Sequence, residues 1–145
     1  MAHAAAPPQG PSEQELRELV MRSDQIRQQL GAMEAQREYL MEVAAEARRA
    51  LQTLEHMGQA APNESILVPL GGGAYVRASV AEPGKTLTNL GSGVHAELPS
   101  SEAAARLRAR VENLDNAQQA LSKDIGRLSD ELARASAILE SYYGG

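Results

Sequence analysis

The chain has 145 residues and a net charge of −5, with no cysteine, no tryptophan, no phenylalanine and only four tyrosines. So few large side chains leave little to fill a compact core, and the lack of cysteine excludes disulfide staples and thiolate metal sites. A negative balance without a basic patch or base-stacking aromatics argues against a nucleic acid partner.

Residues Met1–Pro11, reading MAHAAAPPQGP, are Ala, Pro and Gly without apolar periodicity and are expected to be a disordered tail. His3 within it is a lone terminal histidine, expected to be solvated. No apolar run approaches the roughly 18 residues that cross a bilayer, and the start lacks the pattern of a signal peptide. A cytoplasmic protein without membrane contact is the expectation.

Ser12 followed by Glu15 has capping-box spacing, so a first helix is predicted over residues 12–57. From Leu16 an unbroken 3-4 repeat runs through Leu19, Ser23, Ile26, Leu30, Met33, Arg37, Leu40, Ala44, Ala47, Leu51 and Leu54. Ser23 and Arg37 are polar seam positions of the kind that can fix a register. Gly58 is a C-cap candidate and Pro62 blocks continuation. Such a helix is about 70 Å long.

Residues 66–98 change character: Val, Ile, Thr and Leu are cut by Gly and Pro. Strands over 66–70 and 74–80 flank Gly71–Gly73, and strands over 86–90 and 94–98 flank Gly91, Ser92 and Gly93, which predicts two successive β-hairpins. The Glu82-Pro83-Gly84-Lys85 link has the residue order of a type II turn, and Pro69 points to an edge strand. Four short strands with little apolar bulk are marginal alone, so pairing with other chains through Ile66, Val68, Leu70, Val76, Val80, Leu87, Leu90, Val94 and Leu98 is expected.

Beyond Pro99, Ser100 is the candidate N-cap of a second helix over residues 100–142. Its repeat runs through Ala104, Leu107, Val111, Leu114, Gln118, Leu121, Ile125, Leu128, Leu132, Ala135, Leu139 and Tyr142. Two arms of equal length around a small β body imply an antiparallel hairpin in which residue numbers at one level sum to about 157. That register sets Ala44 and Ala47 near Leu114 and Val111, and brings Gly31 level with Gly126, where two tolerated exposed glycines or a flexure point are the alternative readings. The fold class is thus α+β, mainly α: one domain over residues 12–143 made of a long two-helix coiled coil joined by two small hairpins.

Catalytic patterns are weak. Gly84-Lys85-Thr86 resembles the end of a phosphate loop, but Ser79 stands where the first glycine belongs and a strand follows Thr86 instead of a helix. His3, His56 and His95 lie in separate elements without ligand spacing, and no serine sits in a nucleophile elbow. No catalytic residue, metal site or cofactor is expected, and the chain is not expected to be an enzyme. Apolar side chains instead collect where the first helix begins and the second ends. Leu16, Leu19, Leu139 and Tyr142 lie on the seam there, and Val20, Met21, Ile138 and Tyr143 beside it, a set wider than a two-helix seam covers. The bland alternative is that the tail or another helix covers this patch.

Two heptad helices around ILVPLGGGAYVRASVAEPGKTLTNLGSGVHAEL resemble the alpha subunits of archaeal prefoldin over residues 12–143. The specific part lies within Ile66–Val80, at LVPLGGGAYV, and in the Gly91-Ser92-Gly93-Val94 turn. Two hairpins match the alpha type, since beta subunits of that family carry one. The resemblance implies a hexamer of two alpha and four beta subunits whose strands form a shared β-barrel. It further implies ATP-independent holding of unfolded polypeptides at the coiled-coil tips, and their transfer to a group II chaperonin. Val20, Met21, Ile138 and Tyr143, with Leu16, Leu19, Leu139 and Tyr142 around them, are then the expected client contacts. A coiled-coil adaptor for one folded partner is the alternative from another class.

Overall fold

A computed structural model describes residues 10–144. The expectations for His3 and for residues 1–9 of the tail fall outside the described residues. The element order is α1 (Glu13–Met57), β1 (Ser65–Gly71), β2 (Ala74–Ser79), β3 (Lys85–Gly91), β4 (Val94–Pro99) and α2 (Ser100–Tyr143). The elements group into two compact units, one of residues up to Leu40 with those from Ala117, the other Met41–Asn116.

The first unit pairs the opening half of α1 with the closing half of α2. Ser12 forms the predicted capping box: Glu15 N–H donates to Ser12 Oγ at 3.2 Å, and Ser12 N–H donates to Glu15 Oε2 at 2.6 Å. Ile26, Leu30, Ile125 and Leu128 form its core, with Met33, Leu121 and Leu132 packed around them. Ser23 is fully buried at the seam, and its hydroxyl donates to Leu19 O at 2.8 Å, so the polar seam position leaves no unpaired group. One predicted seam residue departs from the pattern. Tyr142 is exposed, because α1 has only its first turn and Gly10 to set against it.

Gly31 and Gly126 are exposed helical positions, and a Cβ at either meets open space. Helix propensity alone then governs substitution. Gly31→Ala and Gly126→Ala should each stabilise the chain by about 1 kcal/mol, read as a higher urea midpoint with unchanged m-value. Equal hydrogen exchange at this level and in the neighbouring turns would count against a flexure point there.

The second unit joins the other helix halves to the hairpins. Leu54, Ala103 and Ala104 are buried together, with Leu51 and Leu107 against them. Ala44 and Ala47 are buried too, while Val111 and Leu114 are half-buried. Arg48 pairs with Asp115, and Arg108 with Glu55 at 2.5 Å, while in the first unit Arg22 pairs with Glu131 at 3.0 Å. These partners stand four to six residues, about 1.1 to 1.7 turns, from the levels that the predicted register gives, a distance that long arginine side chains cover. Their exposure keeps the contribution of each pair below about 1 kcal/mol.

Both hairpins use one device. The central residues Gly72 and Gly73 have φ of 60° and 79°, and Ser92 and Gly93 have 52° and 75°, as a two-residue type I′ turn requires. Such a turn takes only two residues, so Gly71 and Gly91 stay in the strands, paired with Ala74 and Val94. The register slips before each of them, leaving Leu70 and Leu90 as bulge residues. Leu67-Val68-Pro69-Leu70-Gly71-Gly72-Gly73 and Leu87-Thr88-Asn89-Leu90-Gly91-Ser92-Gly93 are therefore equivalent, an internal repeat of the hairpin. The hairpins β1-β2 and β3-β4 form separate two-stranded sheets.

Three local expectations are corrected. Gly84 has no positive φ, so the link before β3 is a type I turn closed by Lys85 N–H to Glu82 O at 3.2 Å. Ser100 explains it: its hydroxyl donates to Pro83 O at 2.9 Å and its N–H to Gly84 O at 2.8 Å, and a type II turn would swing the Pro83 carbonyl away. Ser100 is accordingly no N-cap but the first residue of α2, following β4 without a loop, and its hydroxyl also meets Thr86 Oγ1 at 2.9 Å. Gly58 does not take a left-handed cap conformation; α1 unwinds through tighter bonds, Gln59 N–H to His56 O and Ala60 N–H to Met57 O.

Candidate binding surfaces

At the tip of the first unit, where α1 begins and α2 ends, the heptad stripe leaves a flank of each helix uncovered. Val20 and Met21 stand outside the stripe on α1, Ile138 and Tyr143 outside it on α2, and all four are exposed, Met21 at 64% and Tyr143 at 65%. An open groove here brings Val20, Leu139 and Tyr143 together, with Arg27, Ser136, Glu140 and Gly144 completing its lining. Charged pairs on the same turns, Arg17 with Glu13 at 3.6 Å and Arg27 with Asp24 at 2.8 Å, give the apolar floor a solvated rim. A surface of this kind suits extended apolar chain segments: the floor takes side chains without a fixed order, and Met and Tyr adapt to different shapes. Leu16 leaves the set of contacts available at this surface, because it is buried in the seam at 7% exposure. Leu19 is half-buried and also serves mainly the seam.

The hairpins of the second unit carry the other apolar surface. Leu70, Val76, Leu87, Leu90 and Val94 are exposed, and Val68 sits at the margin of exposure. Ile66, Val80 and Leu98 are half-buried within the chain itself, and Leu98 lies on the side of its hairpin shared by Thr86, Thr88 and Ala96. Strand alternation gives the reason. Thr86 pairs with Leu98 and Thr88 with Ala96, so even-numbered positions before the bulge take the covered side, and Leu87 opposite Glu97 takes the other. Two residues that sequence reasoning missed join the exposed set, Leu67 and Tyr75. Their signal was present as odd positions in the same alternation.

Lys85 and Thr86, the phosphate-loop resemblance, are engaged within the fold. Lys85 Nζ lies 3.3 Å from Glu82 Oε1, and the Thr86 hydroxyl meets Ser100. His56 and His95 are exposed in different elements. No helix among the described residues is long and apolar enough to cross a membrane.

Comparison with known proteins decides the family. The prefoldin subunit family model matches residues 26–145. This chain belongs to the prefoldin family. Among its relatives is the prefoldin subunit alpha of Methanoculleus marisnigri, 28% identical over 90% of this chain and 87% of that one. The prefoldin subunit alpha of Methanoregula boonei is 32% identical over 80% and 75%. Among solved structures, the prefoldin beta subunit from Thermococcus strain KS-1 superposes with a TM-score of 0.62 at 17% identity, covering 92% of this chain and 96% of that one. Filamentous PFD from Methanocaldococcus jannaschii does so with a TM-score of 0.56 at 22% identity, covering 87% and 98%. Two long helices around two antiparallel hairpins are thus a prefoldin subunit fold, and the chain is a chaperone subunit. An adaptor devoted to one folded partner is not favoured.

Proposed function

We propose that this prefoldin subunit holds unfolded polypeptides at its tip surface without ATP and without catalysis, and passes them to a group II chaperonin in the cytoplasm. The observation that carries the proposal is the exposed apolar set Val20, Met21, Ile138 and Tyr143 at the tip, of which Val20 and Tyr143 line an open groove. Each tip binds weakly, and several tips on one client combine through effective concentration while each contact still releases quickly. The hairpin surface supplies the assembly: exposed Leu67, Leu70, Leu87 and Leu90, with strand edges left unpaired, join beta subunits in a hexamer of two alpha and four beta chains around a shared β-barrel.

Light scattering tests the holding activity. The assembled protein, added in stoichiometric amounts to two unrelated chemically unfolded proteins diluted from denaturant, should suppress aggregation of both, with no change on adding ATP. Failure to suppress either, together with saturable capture of a single folded protein, would contradict the proposal.

A further inference from the structure

The hairpin repeat carries opposite charges at one of its equivalent positions. Arg77 stands across from Leu67 in the first hairpin and Glu97 across from Leu87 in the second, and both are exposed. Of the four formally charged side chains between Ser65 and Pro99, Glu82 and Lys85 pair with each other at 3.3 Å, whereas Arg77 and Glu97 have no ion-pair partner among the described residues. Each is complementary to the other on a second copy of the chain.

The strand edges restrict how two copies can meet. Pro69 leaves β1 one N–H short, and the bulges at Leu70 and Leu90 twist the edges of β1 and β3. β2 and β4 carry no bulge residue, and their only proline is Pro99 at the end of β4, so these are the edges fit for a further strand.

Alternation then narrows the register. Ala78, Ala96 and Leu98 take the half-buried side of their hairpins, so an antiparallel β2-to-β4 pair must keep them on one side. Two registers do so over nearly the whole of both strands. One sets Arg77 against His95 and Tyr75 against Glu97. The other sets Arg77 against Glu97 and Ser79 against His95, with Val76 against Leu98 and Ala78 against Ala96 on the other side, all apolar. Opposite charges directly across a strand pair stabilise it and like charges destabilise it, which selects the second register. Pairing β2 with β2, or β4 with β4, leaves both charges without an opposite partner.

From these observations we infer that two copies of the chain pair directly, β2 of one with β4 of the other, keyed by Arg77 on the second copy's Glu97. A two-fold axis repeats the contact with the roles exchanged, so each dimer contains the charge pair twice. The inference rests on the assembly proposed above, within which it joins the two copies of this chain.

The chain has no cysteine, so a disulfide reports only an introduced pair. Full-length Ser79→Cys and His95→Cys variants, mixed at micromolar concentration and oxidised with and without beta subunits, should give a dimer linked between positions 79 and 95. Linked dimers from either variant alone, in place of the mixture, would show like strands meeting and overturn the pairing. A 2:4 hexamer without the 79–95 link would overturn the pairing and leave the proposed assembly standing. The link without a hexamer would support the pairing and count against that assembly. Charge reversal is the second test, read by sedimentation of the full chain. Arg77→Glu and Glu97→Arg should each weaken self-association about tenfold or more, since like charges then face each other twice. Mixing the two variants should restore it, because every contact again joins a carboxylate to a guanidinium. Equal self-association of the parent, the single variants and their mixture would overturn the role of the charge pair.

Discussion

A variant carrying Val20→Ser, Met21→Ser, Ile138→Ser and Tyr143→Ser should lose at least about tenfold of its capacity to suppress aggregation, while its assembly and thermal unfolding barely change. Full burial of one such side chain against an apolar partner is worth about 1.5–3 kcal/mol, and a partial contact about half of that. Four truncations at one tip remove several kcal/mol of contact, and the loss recurs at every tip that a client spans. Stability is spared because all four side chains are exposed in the folded chain, where substitutions stay within about 0.5 kcal/mol. Tyr39→Ser and Met41→Ser, equally exposed but away from the tip, are the controls and should leave activity intact. Loss of activity in the controls as well would show that exposed apolar surface anywhere on the helices holds clients.

Leu67→Asp with Leu87→Asp should abolish assembly. The two leucines are equivalent positions of the internal repeat, on the exposed side of β1 and β3, Leu87 at 70% exposure. In the isolated chain a carboxylate there remains in water, so folding is unaffected. In the proposed barrel it would be buried among apolar strands without a partner, at a cost of several kcal/mol per site. Native mass spectrometry of the chain mixed with beta subunits should therefore give a 2:4 hexamer for the parent and only isolated chains for the variant. A hexamer that survives both substitutions would place the assembly surface elsewhere, on the half-buried side of the hairpins.

The fold was legible wherever a local pattern decides it. The 3-4 spacing from Leu16 to Leu54 marked residues that are all buried or half-buried, because a heptad stripe and a helix seam are the same geometry. Ser12 with Glu15 marked the start of α1 for a similar reason: both halves of the cap lie within one turn. What stayed hidden depends on residues far apart in the chain. The turn at Pro83-Gly84 takes its type from Ser100, which no local pattern reveals, and the same bonds remove Ser100 from the capping role that its position suggested. Tyr142 continued the repeat in sequence but found only one turn of α1 and Gly10 opposite it. At the tip, the off-stripe positions of Val20, Met21, Ile138 and Tyr143 were readable, since exposure follows from the angle around the helix. The groove joining Val20 to Leu139 and Tyr143 was not, because it depends on how the two helices approach each other.

Photocrosslinking at single tyrosines tests most directly the claim that clients are held at the tip. With p-benzoylphenylalanine replacing Tyr143 or, separately, Tyr39, the probes start from nearly equal exposure, 65% and 64%, so a difference in yield reports location rather than access. An unfolded client mixed with each assembled protein and irradiated should crosslink strongly at position 143 and only at background level at position 39. Equal yields, or a higher yield at position 39, would contradict the account.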